Sequence, residues 1–268
     1  MISSRSNSRL KAIRRLRRSK GPQALLEGPK LLAEALDCGT AIELVLATTA
    51  FLAGSPLAAR LERAAIPVLE VTDEVIASLA DADGPQGVLS VAHLPRGGAE
   101  VLRATRAGGI YLYLDHLQDP GNLGAIARVA EACGAEGLAL SPGCVHPNHP
   151  RALRASAGSL LRLPVALDVE VADIVEALLP VAPRWLALVP RQGTDLYESS
   201  LEGPLVLALG AEGSGLSREV LEQTALGLTI PVAEPVESLN VAVAAAVVLF
   251  ELARRRRTLP EVDRRAPR

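Results

Sequence analysis

The stretch Ile110-Tyr-Leu-Tyr-Leu-Asp115-His-Leu-Gln-Asp-Pro-Gly-Asn-Leu-Gly-Ala-Ile-Ala-Arg128 decides the reading of this chain. Its apolar run Ile110 to Leu114 reads as a buried strand, Asp115 to Asn122 as a loop, and Leu123 to Cys133 as a helix. The same pattern repeats downstream. Strands are expected at Gly137 to Leu140, Val165 to Leu167, Trp185 to Val189, Leu205 to Leu209 and Leu228 to Pro231, with helical stretches between most of them. Short apolar strands alternating with helices imply an α/β fold with a parallel sheet covered on both faces, and such sheets bind ligands in loops beyond their strands' carboxyl ends.

Upstream lies a smaller α/β unit. Pro22 is placed to start a helix that carries Ala24, Leu25, Leu31, Leu32, Ala35 and Leu36 at helical spacing and stops at Gly39. A strand at Ile42 to Ala47, a helix near Pro56 to Ala65, a strand at Pro67 to Val71, a helix from Asp73 and a strand at Gly87 to Ala92 follow. Pro95 to Gly109, rich in Gly and Arg and poor in apolar periodicity, reads as a linker. The expected domains are a basic amino-terminal arm (1–20), a small α/β unit (21–95), a linker (96–108), a large α/β unit (109–258) and a tail (259–268).

Composition narrows the function classes. The 268 residues are 49% hydrophobic and carry a net charge of −2, which argues against a uniformly basic nucleic-acid binder. Charge is nonetheless placed unevenly: Arg5, Arg9, Lys11, Arg14, Arg15, Arg17, Arg18 and Lys20 run with no acidic residue among them. Aromatics make up only 2%, so arginine rather than base stacking has to supply any grip on nucleic acid. Cys38, Cys133 and Cys144 lie far apart with no CxxC pair, which fits neither a disulfide framework nor a zinc site. A cytoplasmic setting follows, with an organelle transit peptide as the alternative reading of the Arg- and Ser-rich start. The run Leu239 to Leu252 is shorter than the roughly 20 residues that cross a bilayer. His116, His146 and His149 have no consistent metal spacing and read as turn residues, so no metal is expected.

Two further loops share the features of the first: Leu209-Gly-Ala-Glu-Gly-Ser-Gly-Leu216 and Ile230-Pro-Val-Ala-Glu-Pro-Val-Glu-Ser-Leu-Asn-Val241. Each follows an apolar strand, and each joins glycines, which let backbone approach a ligand, to polar side chains that direct hydrogen bonds. Any one of them alone is an ordinary strand-to-helix turn. Together the three resemble the motifs of the SpoU/TrmH family of RNA ribose 2′-O-methyltransferases, of the SPOUT class. Asn122-Leu-Gly124 with Arg128 matches its first motif, Gly210-Ala-Glu-Gly213 its second, and Ile230-Pro231 with Ser238-Leu-Asn-Val241 its third. The resemblance covers roughly residues 108 to 258. Leu26-Glu-Gly-Pro-Lys30 and Pro85-Gln-Gly-Val88 extend it, more weakly, to the family's substrate-binding domain.

The resemblance implies a deep trefoil knot, an exception to unknotted topology, and S-adenosylmethionine bound in the knotted loops. Gly210, Ile230 and Leu239 match the adenosine-binding backbone, and Val189 and Pro190, ending a strand, are placed along the same pocket. Arg128 is the family's catalytic residue, either as general base or as a cation that holds phosphate and stabilises the alkoxide. Asn122 and Asn240 are assigned to orienting Arg128, ribose or methionine, against a turn-stabilising alternative. Glu212 would orient an amide or Arg128, against a role at a helix N-terminus, and Ser238 either contacts ligand or caps the last helix. Arg154 is read as a phosphate contact or an exposed helix arginine, and Asn7, Arg9, Lys11 and Lys30 as RNA contacts or part of a solvated arm.

Two departures from the family bear on substrate identity: Gly21-Pro22 where an Arg is common, and the acidic Asp81-Ala-Asp-Gly84. The partners implied are structured RNA, ribosomal RNA first and transfer RNA second, and a second copy of the chain joined through the knotted domain. A nucleotide-binding oxidoreductase is disfavoured by the absence of GxGxxG after the first strand. An RNA- or ribosome-binding protein with a dead site is disfavoured by intact Asn122, Arg128, Glu212 and Asn240.

Overall fold

A computed structural model of the chain describes residues 8–18, 20–81, 84–102 and 108–256. In chain order the elements are α1 (Ser8–Leu16), β1 (Gln23–Glu27), α2 (Gly28–Asp37), β2 (Ala41–Ala47), α3 (Thr49–Gly54), α4 (Leu57–Arg63), β3 (Val68–Glu70), α5 (Asp73–Leu79) and β4 (Val88–His93). After a short 3-10 turn at Ala99–Val101 come β5 (Ile110–Asp115), α6 (Pro120–Ala132), β6 (Gly137–Leu140), α7 (Pro150–Ser156), α8 (Ser159–Arg162), β7 (Val165–Ala166) and α9 (Val171–Ala177). The chain continues through β8 (Arg184–Leu188), β9 (Thr194–Asp195), β10 (Leu205–Gly210), α10 (Arg218–Gln223), β11 (Leu226–Thr229) and α11 (Val241–Arg256). Two compact units divide them. One takes the described residues up to Gly97 with Asp119–Arg128 and Val145–Leu163; the other takes Gly98–Gln118, Val129–Cys144 and the described residues from Pro164.

The first unit is built on a four-stranded sheet of order β1-β4-β2-β3, antiparallel except for the β2/β3 pair. Here the sequence reading needs correcting. The helix expected to begin at Pro22 is two elements: strand β1, then helix α2 from Gly28. Ala24, Leu25, Leu26 and Glu27 are all buried, a run that suits a strand covered on both faces and that helical spacing would not bury. Gly28 sits at φ +88, a left-handed turn open to glycine, and Pro29 then occupies the first turn of α2, where its missing N–H costs nothing. The basic run expected as an arm is helical over Ser8–Leu16, because Leu10 and Ile13 fall on one face and pack with Leu25, Leu46 and Val75. Asn7 lies outside the described residues.

The second unit is a seven-stranded sheet of order β7-β6-β5-β10-β8-β11-β9, with parallel pairing throughout the described strands. Every residue of β5 is buried, as a central parallel strand requires. On one face Tyr111, Tyr113, Trp185 and Val206 share a core with Ile174 and Leu178 of the α9 region. Tyr113 and Trp185 pack as a tilted aromatic pair, 5.4 Å between centroids. The two-residue edge strand β9 has no counterpart in the sequence reading. Of the segment expected as linker, residues 103–107 lie outside the described ones, yet Leu102 is buried in this core. Arg96, in the first unit, donates to Asn148 Oδ1 and the Leu160 carbonyl, and burial pushes its guanidinium down to about 10. Among the described residues no helix is long and apolar enough to cross a membrane.

Candidate active site

In the second unit β10, β8 and β11 lie side by side, so their carboxyl ends, Gly210, Leu188 and Thr229, come together. The segments that leave those ends enclose a cavity of about 420 Å³. Its walls are largely apolar: Val189 and Pro190 after β8, Ile230 and Val232 after β11, Leu239 before α11, and Val241 and Ala244 within it. The loop after β10, from Ala211 to Gly215, supplies the polar side, and Ser238 also faces the space. All five residues expected to hold a cofactor, Val189, Pro190, Gly210, Ile230 and Leu239, are among those lining it. Val241 and Ala244 were not anticipated, because an apolar residue at a helix start reads as core.

A side-chain relay ties two of these loops together. Asn240 Nδ2 donates to the Glu212 carboxylate at 2.8 Å, while Asn240 Oδ1 accepts the main-chain N–H groups of Ala242 (3.0 Å) and Val243 (3.3 Å). Asn240 is therefore the cap of α11, and the capping role offered for Ser238 is corrected: only Asn240 directly precedes the helix. The helix-terminus alternative for Glu212 also fails on position. Helix α10 starts at Arg218, with Ser217 as its cap and Glu219 in its first turn.

Asn122, Arg128 and Arg154 belong to the first unit. Asn122 lies not in a loop, as expected, but in the opening turn of α6. Asp119 explains this, since its Oδ1 accepts the Asn122 N–H at 2.8 Å and Pro120 follows it at the helix start. Arg128, further along the helix, is exposed and forms no ion pair with any described residue. Gly124 does not serve ligand approach. A Cβ there would lie 2.6 Å from Ala155 Cβ and 2.9 Å from Ser156 N, and closer still to the Ala152 carbonyl. The glycine lets α6 close on α7. We expect Gly124→Ala to cost about 1–3 kcal/mol through overpacking, read as a lowered thermal unfolding midpoint; an unchanged midpoint would show that the helices separate without cost.

Arg154 is an exposed arginine of α7, as one of its two readings had it, and it is already paired with carboxylates. Its guanidinium lies 3.0 Å from the buried Glu27 carboxylate and 3.7 Å from Asp81. Asp81 also meets Arg17 at 2.6 Å, and that guanidinium holds the Asp81 carboxyl below its ordinary range. Arg9 and Lys11 are exposed on α1, and Lys30 is exposed on α2. Lys11, Arg14 and Arg15, at spacings of three and four, share one helix face. The histidines act locally: His149 Nδ1 accepts the Arg151 N–H and caps α7, His146 Nδ1 accepts the Asn148 N–H, and His116 Nδ1 lies 2.7 Å from Asp115.

The model of the SpoU rRNA methylase family matches residues 109–250, and that of the MRM3-like substrate binding domain matches residues 7–90. The chain belongs to the SpoU rRNA methylase family. A Synechocystis relative, described as an uncharacterised tRNA/rRNA methyltransferase, is 38% identical over 94% of this chain and 93% of its own length. The 23S rRNA (guanosine(2553)-2′-O)-methyltransferase RlmP of Bacillus subtilis is 29% identical, covering 94% and 98%. Among solved SpoU-like structures, the AdoMet-bound rRNA methyltransferase of Sinorhizobium meliloti superposes with a TM-score of 0.84 at 29% identity, covering 97% of this chain and 98% of that one. The SpoU methyltransferase AviRb of Streptomyces viridochromogenes, in complex with AdoMet, gives 0.85 at 25% identity, covering 95% and 100%.

Proposed function

We propose that this chain methylates a ribose 2′-hydroxyl of structured RNA, ribosomal RNA in the first place and transfer RNA in the second, using S-adenosylmethionine held in the cavity at the ends of β8, β10 and β11. The observation that carries the reading is that one cavity gathers Val189, Pro190, Gly210, Ile230 and Leu239 with Glu212 and Ser238. The residues fit the group. Apolar walls with main-chain donors and acceptors suit adenine, and about 420 Å³ lies in the range of small-molecule pockets. When bound, S-adenosylmethionine supplies an electrophilic methyl group on a sulfonium.

The chain's own residues have the remaining work. Glu212, fixed by Asn240, presents a carboxylate at the cavity wall. Arg128 is assigned to the substrate side. A guanidinium stays cationic in proteins, so holding the phosphate and stabilising the emerging alkoxide suits it better than accepting a proton. The exposed cations Arg9, Lys11 and Lys30 are assigned to RNA phosphates, giving salt-sensitive affinity. Residues 21–95 would then carry the substrate and 109–258 the chemistry, with β10 inserted between β5 and the earlier β8 as part of a trefoil knot. Val243 and Phe250 are exposed on α11, seven residues apart and on one face, which favours a homodimer through that helix. The setting is cytoplasmic, and no metal takes part.

The test is to incubate the protein with ribosomal RNA, transfer RNA and S-adenosylmethionine labelled in its methyl group, then digest the RNA with alkali. Label in alkali-resistant dinucleotides, as 2′-O-methylation produces, supports the reading. Label on bases only, or none with any RNA, overturns it.

A further inference from the structure

We propose that Asp115 is a positioning residue for the methyl-donor cavity, holding the 211–216 loop in the shape that cavity needs; the inference rests on the reading of the cavity given above. Strand β5 delivers Asp115 at its last position, in register with Gly210 at the last position of β10. The Asp115 side chain is only 2% exposed. One carboxylate oxygen accepts the Ser217 N–H at 2.6 Å, and the other lies 2.7 Å from His116 Nδ1. The chain therefore leaves the sheet at Gly210 and returns, at Ser217, to a carboxylate beside its own point of departure.

Between these ends the loop is exposed at Glu212, Gly213, Ser214 and Gly215, and Gly213 and Gly215 take left-handed backbone at φ +96 and +71. Its internal bond is the Gly215 N–H to the Ala211 carbonyl at 3.0 Å. Its shape is set from outside, by Asn240 at Glu212 and by Asp115 at Ser217. A carboxylate buried at a strand end is costly unless its oxygens are bonded, and a charge-assisted bond is roughly twice as strong as a neutral one. Ser217 divides its duties: its hydroxyl accepts the Val220 N–H and caps α10, which leaves its own main-chain N–H for Asp115.

The experiment compares the parent protein with Asp115→Asn, Ser217→Pro, the double variant and Ser217→Ala. Proline fits the Ser217 backbone at φ −65 and ψ 159 and removes the cap and the N–H, setting its ring against the Asp115 carboxylate in place of the hydrogen, while alanine removes the cap alone. Asp115→Asn and Ser217→Pro are each expected to weaken S-adenosylmethionine binding by roughly tenfold or more in calorimetry. Both should also speed amide exchange across 211–217 in the ligand-free protein. The double variant should be no weaker than the worse single one, because both changes act on the same contact, asparagine leaving at most a neutral acceptor there and proline removing the donor. Ser217→Ala should stay close to the parent. A parent that binds while Asp115→Asn binds equally well, or additive losses in the double variant, overturns the clamp. A parent that takes up no S-adenosylmethionine overturns the methyl-donor reading instead; exchange then judges the clamp alone, and unchanged exchange across 211–217 overturns it.

Discussion

Replacing Arg128 by alanine is expected to lower the rate of methyl transfer by roughly 10²- to 10⁴-fold, the range in which a positioned acid, base or charge-stabilising group acts. Two observations shape the expectation. Arg128 is exposed on α6 and forms no ion pair with a described residue, so its guanidinium is uncommitted, unlike that of Arg154, which is taken by Glu27 and Asp81. Nor does Arg128 line the cavity, so removing it should leave S-adenosylmethionine affinity unchanged within about twofold, a loss in rate with no loss in cofactor binding. Single-turnover kinetics at saturating cofactor and RNA, with calorimetry beside them, separate the two. Arg128→Lys refines the role. A lysine keeps the charge and loses the planar fork, so a rate close to the parent's would exclude a bidentate phosphate contact, and a rate near alanine's would favour one. An alanine variant within tenfold of the parent would sink the assignment of Arg128 to the chemistry.

What could be read from the sequence divides along a physical line. The central strands were legible because a parallel strand buried on both faces must be apolar along its length, as Ile110 to Leu114 of β5 and Leu205 to Leu209 of β10 are. The meeting of the loops after β10 and β11 with Val189 and Pro190 was expected from the family resemblance rather than from strand placement, and the loop after β5, expected with them, contributes no residue to the cavity lining. Elements whose apolar residues fit two spacings were not legible. Ala24, Leu25, Leu31 and Leu32 fit one helix from Pro22, and the Glu27-Gly-Pro-Lys30 interruption, where the left-handed Gly28 makes the border, was passed over. Long-range partners were also hidden. The neighbour that forbids a side chain at Gly124 is α7, and the partner that occupies Arg154 is Glu27, 127 residues away in the chain. Ser238 and Asn240 are equally able to cap a helix, and only the position of the first turn decides between them. Asp115 stood in the quoted stretch from the start, but its acceptor role is visible only once Ser217 has been brought back to the sheet.

Gly210→Ala should weaken S-adenosylmethionine binding by roughly a hundredfold or more while leaving both sheets intact. Gly210 ends β10 and looks like a glycine kept so that a ligand can approach, but what crowds it is the protein itself. An added Cβ would lie 2.5 Å from the Gly215 carbonyl oxygen and 2.6 Å from Leu216 N, and nearer still to the Gly215 carbonyl carbon. These are main-chain atoms of the returning arm of the loop, held by the Gly215 to Ala211 bond and by Ser217 on Asp115, so no rotamer change relieves the clash. The arm has to move outward by about 1 Å, and a displacement of that size in a binding constellation costs on the order of 10²-fold. Gly213→Ala is the informative contrast. No atom lies within 4 Å of the Cβ position there, so the penalty is confined to its left-handed backbone at φ +96, roughly 1–2 kcal/mol or about a tenfold effect. Calorimetry should therefore rank the parent above Gly213→Ala and Gly213→Ala well above Gly210→Ala, with far-ultraviolet circular dichroism unchanged in all three. If Gly210→Ala bound within tenfold of the parent, the return arm would be free to yield, and the cavity would not depend on the close approach of the two loop ends.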